Sequence, residues 1–245
     1  MMKRFVGISC TVLALATPAA GAEQAAPASI IEVQDVDRDT VPAGTPEAFW
    51  AAFGENLKNE ADRTVDETTY TYVPLALIPL PGGKTALVST GASECTGHAC
   101  SGLNSVHYLE RKGARYAVIG EWLDVGTSGT FGNPALYWGW SDAIAAVPVL
   151  YTEGGGTWQG YSCAFAVLTE LAATGPAEIA SIPIYYTDEG ARETNSTVVK
   201  GQITAAEKGR SFTVTYTGTR TFSERYVRGA DGTYKVAGKS RVPTC

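Results

Sequence analysis

The sequence predicts a mainly β protein: an antiparallel β-meander, as a sandwich, open barrel or partial propeller, with one N-terminal α-helix. Three observations predict it. From Thr68 onward, hydrophobic residues recur with the period of two that half-buried strands require, and Gly and Pro break the pattern into short runs. One stretch, TPEAFWAAFGENLKNEA from Thr45, has helical spacing instead, while Leu168 to Ala173 is open to either reading. Finally, sliding the chain by 118 positions brings Ser105, Tyr108, Tyr116, Val118 and Gly120 onto Ser223, Tyr226, Tyr234, Val236 and Gly238, so a hairpin unit recurs.

The first 22 residues read as a secretory signal peptide. Lys3 and Arg4 precede an apolar run from Phe5 to about Ala16, and Pro18 with Ala20, Gly21 and Ala22 makes a cleavage site before Glu23. That run is too short to span about 30 Å of hydrocarbon, and no later segment supplies the roughly 20 apolar residues a spanning helix needs. Cys10 lies inside the run, not at its end, so no lipid anchor is read there. The expected location is periplasmic or secreted. Cleavage removes Lys3 and Arg4 from a chain with 19 basic and 25 acidic residues, shifting the net charge from −6 to −8. An acidic protein lacks the Lys and Arg excess that holds nucleic acid or anionic membranes, so neither is an expected partner.

Residues 23–44 form a flexible Ala, Pro and Asp leader with one apolar island, Ile30, Ile31 and Val33, able to supply an edge strand. Residues 45–245 form a single disulfide-braced β domain. Its helix should run from Pro46 to about Asn59, capped by Thr45, with Phe49, Trp50, Phe53 and Leu57 on one packing stripe and Gly54 as its weak point. Strands Thr68 to Leu80 and Lys84 to Thr90 follow. Pro74 and Pro79 require the first of these to be bent or at an edge. Strands Ser105 to Glu110 and Tyr116 to Trp122 turn at Gly113, ahead of a glycine-rich loop from Val125 to Pro134. Further strands are expected near Ala143 to Tyr151, Tyr161 to Leu171 and Ile179 to Tyr186, with EGGGTWQG and AATGP as loops. Four more, Val198 to Thr204, Ser211 to Thr219, Thr221 to Arg228 and Thr233 to Arg241, complete the chain.

Cys95, Cys100, Cys163 and Cys245 are an even set in an exported chain, which favours two disulfides. Closing the short loop costs the least entropy, so Cys95 pairs with Cys100 and Cys163 with Cys245. A metal reading of Cys95, His98 and Cys100 falls short of the four ligands a structural zinc takes, and no cofactor motif is present.

Chemistry is sparse in the remaining residues. The sequence has no nucleophile elbow, Ser-x-x-Lys, zincin motif or phosphate loop. His98 is the one weak catalytic candidate, with Ser93, Glu94 and Ser101 nearby. His107 aligns with Arg225 in the repeat and reads as a half-exposed strand position. Glu94, Glu121, Asp124, Asp142 and Glu153 could supply a carboxylate pair for glycoside cleavage, which needs two acids about 5 to 10 Å apart.

Aromatics beside the glycine-rich segments offer flat faces instead: Phe131, Tyr137, Trp138, Trp140, Trp158 and Tyr161 are the candidate ligand contacts, against the competing reading of core packing. The expected function is non-enzymatic binding of an envelope protein or glycan. The alternatives are a hydrolase using His98 or an acid pair, and a structural accessory of an envelope assembly.

Overall fold

The computed structural model describes residues 27–54 and 58–245. The signal peptide, the start of the leader and Leu57 lie outside the described residues. The architecture is mainly β with a half-barrel and one helix. After an edge strand β1 (Gln34–Asp35) and helix α1 (Thr45–Phe53), the chain forms a five-stranded sheet in sequential order. Its strands are β2 (Ala61–Val65), β3 (Thr68–Pro79), β4 (Thr85–Ala92), β5 (Leu103–Lys112) and β6 (Arg115–Trp122).

A second meander follows: β7 (Tyr137–Ser141), β8 (Val149–Trp158), β9 (Tyr161–Ala172), β10 (Gly175–Thr187), β11 (Val198–Glu207), β12 (Ser211–Gly218), β13 (Phe222–Arg228) and β14 (Tyr234–Val236). With β1 paired to β7, these make a nine-stranded sheet. Among the described residues every pairing is antiparallel, and β1 with β7 is the one pair separated in the chain by other strands, those of the five-stranded sheet. Among the described residues no helix is long and apolar enough to cross a membrane.

Both prolines of β3 act as expected. Strand β2 pairs β3 only as far as Tyr72, so Pro74 and Pro79 sit where that side of β3 is free, and a bulge between Pro74 and Ala76 bends it. The helix is shorter than its pattern. Gly54 ends it at φ 97°, a conformation that strains other residues, and donates its N–H to Trp50 O at 2.9 Å. Thr45 does not cap it: Gly44 occupies the cap position, and the Thr45 hydroxyl donates to Pro42 O at 2.7 Å.

Three apolar clusters hold the protein together. Phe49 and Phe53 of α1 press on Tyr72, Leu87 and Leu109 of the five-stranded sheet. On that sheet's other face, Val88, Val106 and Tyr108 meet Trp138, Leu150 and Leu171 of the nine-stranded sheet, joining the two. The third cluster lies within the curved nine-stranded sheet around Tyr151, Leu168, Ile182 and Tyr216. Each large side chain so buried contributes roughly 1.5–3 kcal/mol of transfer free energy.

Strands β2 and β7 and the start of β10 at Gly175 lie outside the strands expected from sequence, and three further boundaries differ. The run EGGGTW is strand, not loop: it completes β8 and pairs with β9 down to Trp158 and Tyr161. Its glycines serve close approach, since a Cβ on Gly154 would lie 2.5 Å from Ser128 O and one on Gly155 only 1.9 Å from Cys163 O. Ala143 to Pro148 is not strand, because Ile144 and Ala145 dip into the core and Ile144 O accepts hydrogen bonds from Gly209 N and the Tyr234 hydroxyl. Strand β14 stops at Val236, and the tail turns back over β13, where the buried Glu224 carboxylate accepts from Ser240 Oγ and Arg241 N.

The recurring hairpins are β5–β6 and β13–β14, each the terminal hairpin of its sheet, with Tyr108 and Tyr226 both buried. Both disulfides close as the spacing requires, Cys95 to Cys100 and Cys163 to Cys245, each with 6.2 Å between Cα atoms. Disulfides form and persist mainly in oxidising compartments outside the cytosol.

Candidate functional site

Three segments meet at one end of the molecule. The Cys95–Cys100 loop and the glycine-rich loop zip together through Ser93 N to Gly132 O, Phe131 N to Gly97 O and Gly132 N to Cys100 O, at 3.0 to 3.2 Å. Gly132 is required there, because its φ is 77° and a Cβ would meet Ser93 O at 2.4 Å. Thr130 Oγ1 then donates to Gly155 O at 2.8 Å, tying both loops to β8. The β8–β9 turn is two residues, Gln159 and Gly160, both at positive φ as a type I′ turn requires.

On this frame sit three rings. His98 lies 4.3 Å from Phe131 and 6.2 Å from Trp158, centroid to centroid. Phe131 and Trp158 stay 42% and 41% exposed, although rings of that size gain most from burial. Phe131 is held at φ 53°, a left-handed conformation that costs a non-glycine residue roughly 1–2 kcal/mol.

Of the other aromatics proposed from sequence, Tyr161 is the cross-strand partner of Trp158 across the turn, and the remaining three do not join this tip. Trp138 and Trp140, two positions apart, share a face of β7. Trp138 is 8% exposed and belongs to the core between the sheets, so it is no surface contact; Trp140 is 38% exposed. Tyr161 is half-buried against the core of the nine-stranded sheet. Tyr137 is exposed and lines a different feature, a groove on the nine-stranded sheet.

That groove has a volume of about 680 Å³ and continues into a second hollow of about 310 Å³, the two sharing Val33, Glu153, Gly201 and Gln202. Glu153 and Tyr151 are its perturbed groups. Burial pushes the Glu153 carboxyl above the usual carboxylate range, only partly offset by the Tyr151 hydroxyl, which donates to Oε2. The same carboxylate and burial raise the Tyr151 phenol. Comparison with family models, curated proteins and solved structures finds no match.

The groups weighed for catalysis are dispersed. Disulfide bonding consumes both sulfurs beside His98, and among the described residues no three His, Cys, Asp or Glu side chains gather as a metal site. His107 is not half-exposed but fully buried, its Nε2 3.0 Å from Glu121 Oε1. Its aligned partner Arg225 is exposed, bonding Glu207 and Ser211. The difference is α1, which covers β5; among the described residues no helix covers β13.

Ser89 and Ser105 face each other beside His107, so the residue types of a Ser–His–acid set are adjacent. Helix α1 seals them from substrate. Of the five acids, Glu121 is engaged by His107, Asp124 accepts from Thr127 Oγ1 at 2.7 Å, and only Glu153 lines the groove.

Sequence reasoning missed Tyr151, Tyr185, Lys200 and Gln202 as groove residues. Alternation along each strand shows which residues share a face. It does not show which faces curve toward one another.

Proposed function

We propose that this is an exported, non-enzymatic envelope protein that binds another protein through the tip formed by His98, Phe131 and Trp158. The observation that carries this reading is the convergence of three independently braced loops on exposed rings. A disulfide fixes the first loop, carbonyl-to-amide bonds the second and a tight turn the third, so the rings lose little entropy on docking. Exposed, rigid aromatics on a protruding tip are the usual anchors of protein recognition.

The leader sequence and the disulfides support export, and the periplasm or the exterior is the proposed location. The test is retention of envelope proteins on the immobilised, oxidised protein, compared with Phe131→Ala, Trp158→Ala and Phe165→Ala. Phe165 is an equally exposed aromatic outside the tip. Specific partners should be lost with the first two variants at unchanged thermal midpoint and kept by the third. Equal retention by all variants overturns the reading.

A further inference from the structure

The groove on the nine-stranded sheet has a built floor. Gly155, Ala164, Tyr185 and Lys200 are successive register partners across β8, β9, β10 and β11, so they form one row on one face. Three strand spacings of about 4.8 Å make that row about 14 Å long, enough for a short chain of rings rather than one. The row is flat at its Gly and Ala end and carries an aromatic ring and an amine at the other. Thr157 and Ser162 flank it on one side, their hydroxyls 2.6 Å apart. On the other flank is Glu153, one register row along the same face, with one carboxyl oxygen taken by Tyr151. Val33, Leu136 and Tyr137 stand exposed at the rim.

We propose that this groove is a binding site for a neutral oligosaccharide. Stacking faces at Tyr137 and Tyr185 beside hydroxyl, carboxyl, amide and amine groups match a ligand with apolar ring faces and hydroxyl edges. Among the described residues, Lys200 and Glu153 are the one cation and the one acid in the lining, so no cluster of either sign selects an ionic ligand. Under the row itself β8 pairs β9, β9 pairs β10 and β10 pairs β11 at Tyr185, so the floor is laddered sheet, while β10 before Tyr185 and β11 after Lys200 are not paired with each other. The row lies on the face of β8 opposite Trp158, and the proposal is independent of the protein-binding reading.

The test uses isothermal titration of the intact oxidised protein with neutral tetrasaccharides of glucose, mannose, galactose and N-acetylglucosamine. At least one should bind with Kd below about 1 mM. Tyr137→Ala and Gln202→Ala, both at exposed positions, should weaken it at least about tenfold. Ala164→Trp, which fills the floor, should abolish it. Trp158→Ala, at the tip, should leave it unchanged. Failure of every tetrasaccharide to bind the wild type overturns the proposal, as does binding that Tyr137→Ala and Gln202→Ala leave intact.

Discussion

Phe53 sets its ring edge-on to His107, with centroids 4.8 Å apart and planes at 64°. The contact closes α1 over the β5 face and makes the buried imidazole a pH-sensitive element of stability. Burial is the main cause of its lowered pKa, with the hydrogen bond to Glu121 opposing it.

As pH falls through the unfolded value of 6.5, the unfolded chain takes up a proton that folded His107 resists. The stability involved is therefore present above that pH and lost on going down toward the lowered folded value. Urea midpoints of the wild type should fall between about pH 7 and pH 5, and His107→Gln should remove part of that slope. Parallel profiles for the two proteins would contradict the assignment.

Glu153 acts with the opposite sign. Its folded pKa lies above the unfolded 4.5, so as pH rises through 4.5 the unfolded chain releases a proton that the folded protein retains. Folding is penalised from that pH up to the raised folded value. Glu153→Gln, still able to accept from Tyr151, should be more stable than wild type at neutral pH and lose that advantage near pH ~4. A destabilised variant at pH ~7 would show that the ionised carboxylate is favoured in the fold.

The two disulfides should contribute unequally. Cys163 and Cys245 are 82 residues apart, against five for Cys95 and Cys100. Chain entropy assigns about 4.5 kcal/mol to the long loop and about 2 kcal/mol to the short one. Denaturant unfolding of the Cys163→Ala/Cys245→Ala and Cys95→Ala/Cys100→Ala pairs measures both. The first pair should be the more destabilised by about 2.5 kcal/mol.

Trp138 and Trp140 offer an internal comparison of core and surface. Truncating Trp138 to Ala opens a cavity between the two sheets and should cost about 3–5 kcal/mol. Trp140→Ala removes a ring already 38% exposed and should cost markedly less. Thermal denaturation of the two variants distinguishes them, and equal losses would mean that Trp140 is also a core residue.

Local chemistry made much of the fold legible. Period-two alternation marked most strands because all but β1 pair with a chain neighbour, so face and register follow from short turns. The prolines of β3 and the cysteine spacings carried their meaning in the same local way. The EGGGTW run misled because glycine signals both a turn and a close backbone approach. Only the packing of Ser128 and Cys163 against it tells the two apart.

The sequence by itself determined the β-meander, the single helix, the disulfide pairing and the set of aromatics available for binding. Tertiary structure decided which of them share a surface: Phe131 and Trp158 gather with His98, Trp138 becomes core, and His107 disappears beneath α1. Backbone conformation is set by nearest neighbours along the chain. Burial and juxtaposition depend on sheet curvature and on which element covers each face, interactions between residues that no local pattern links.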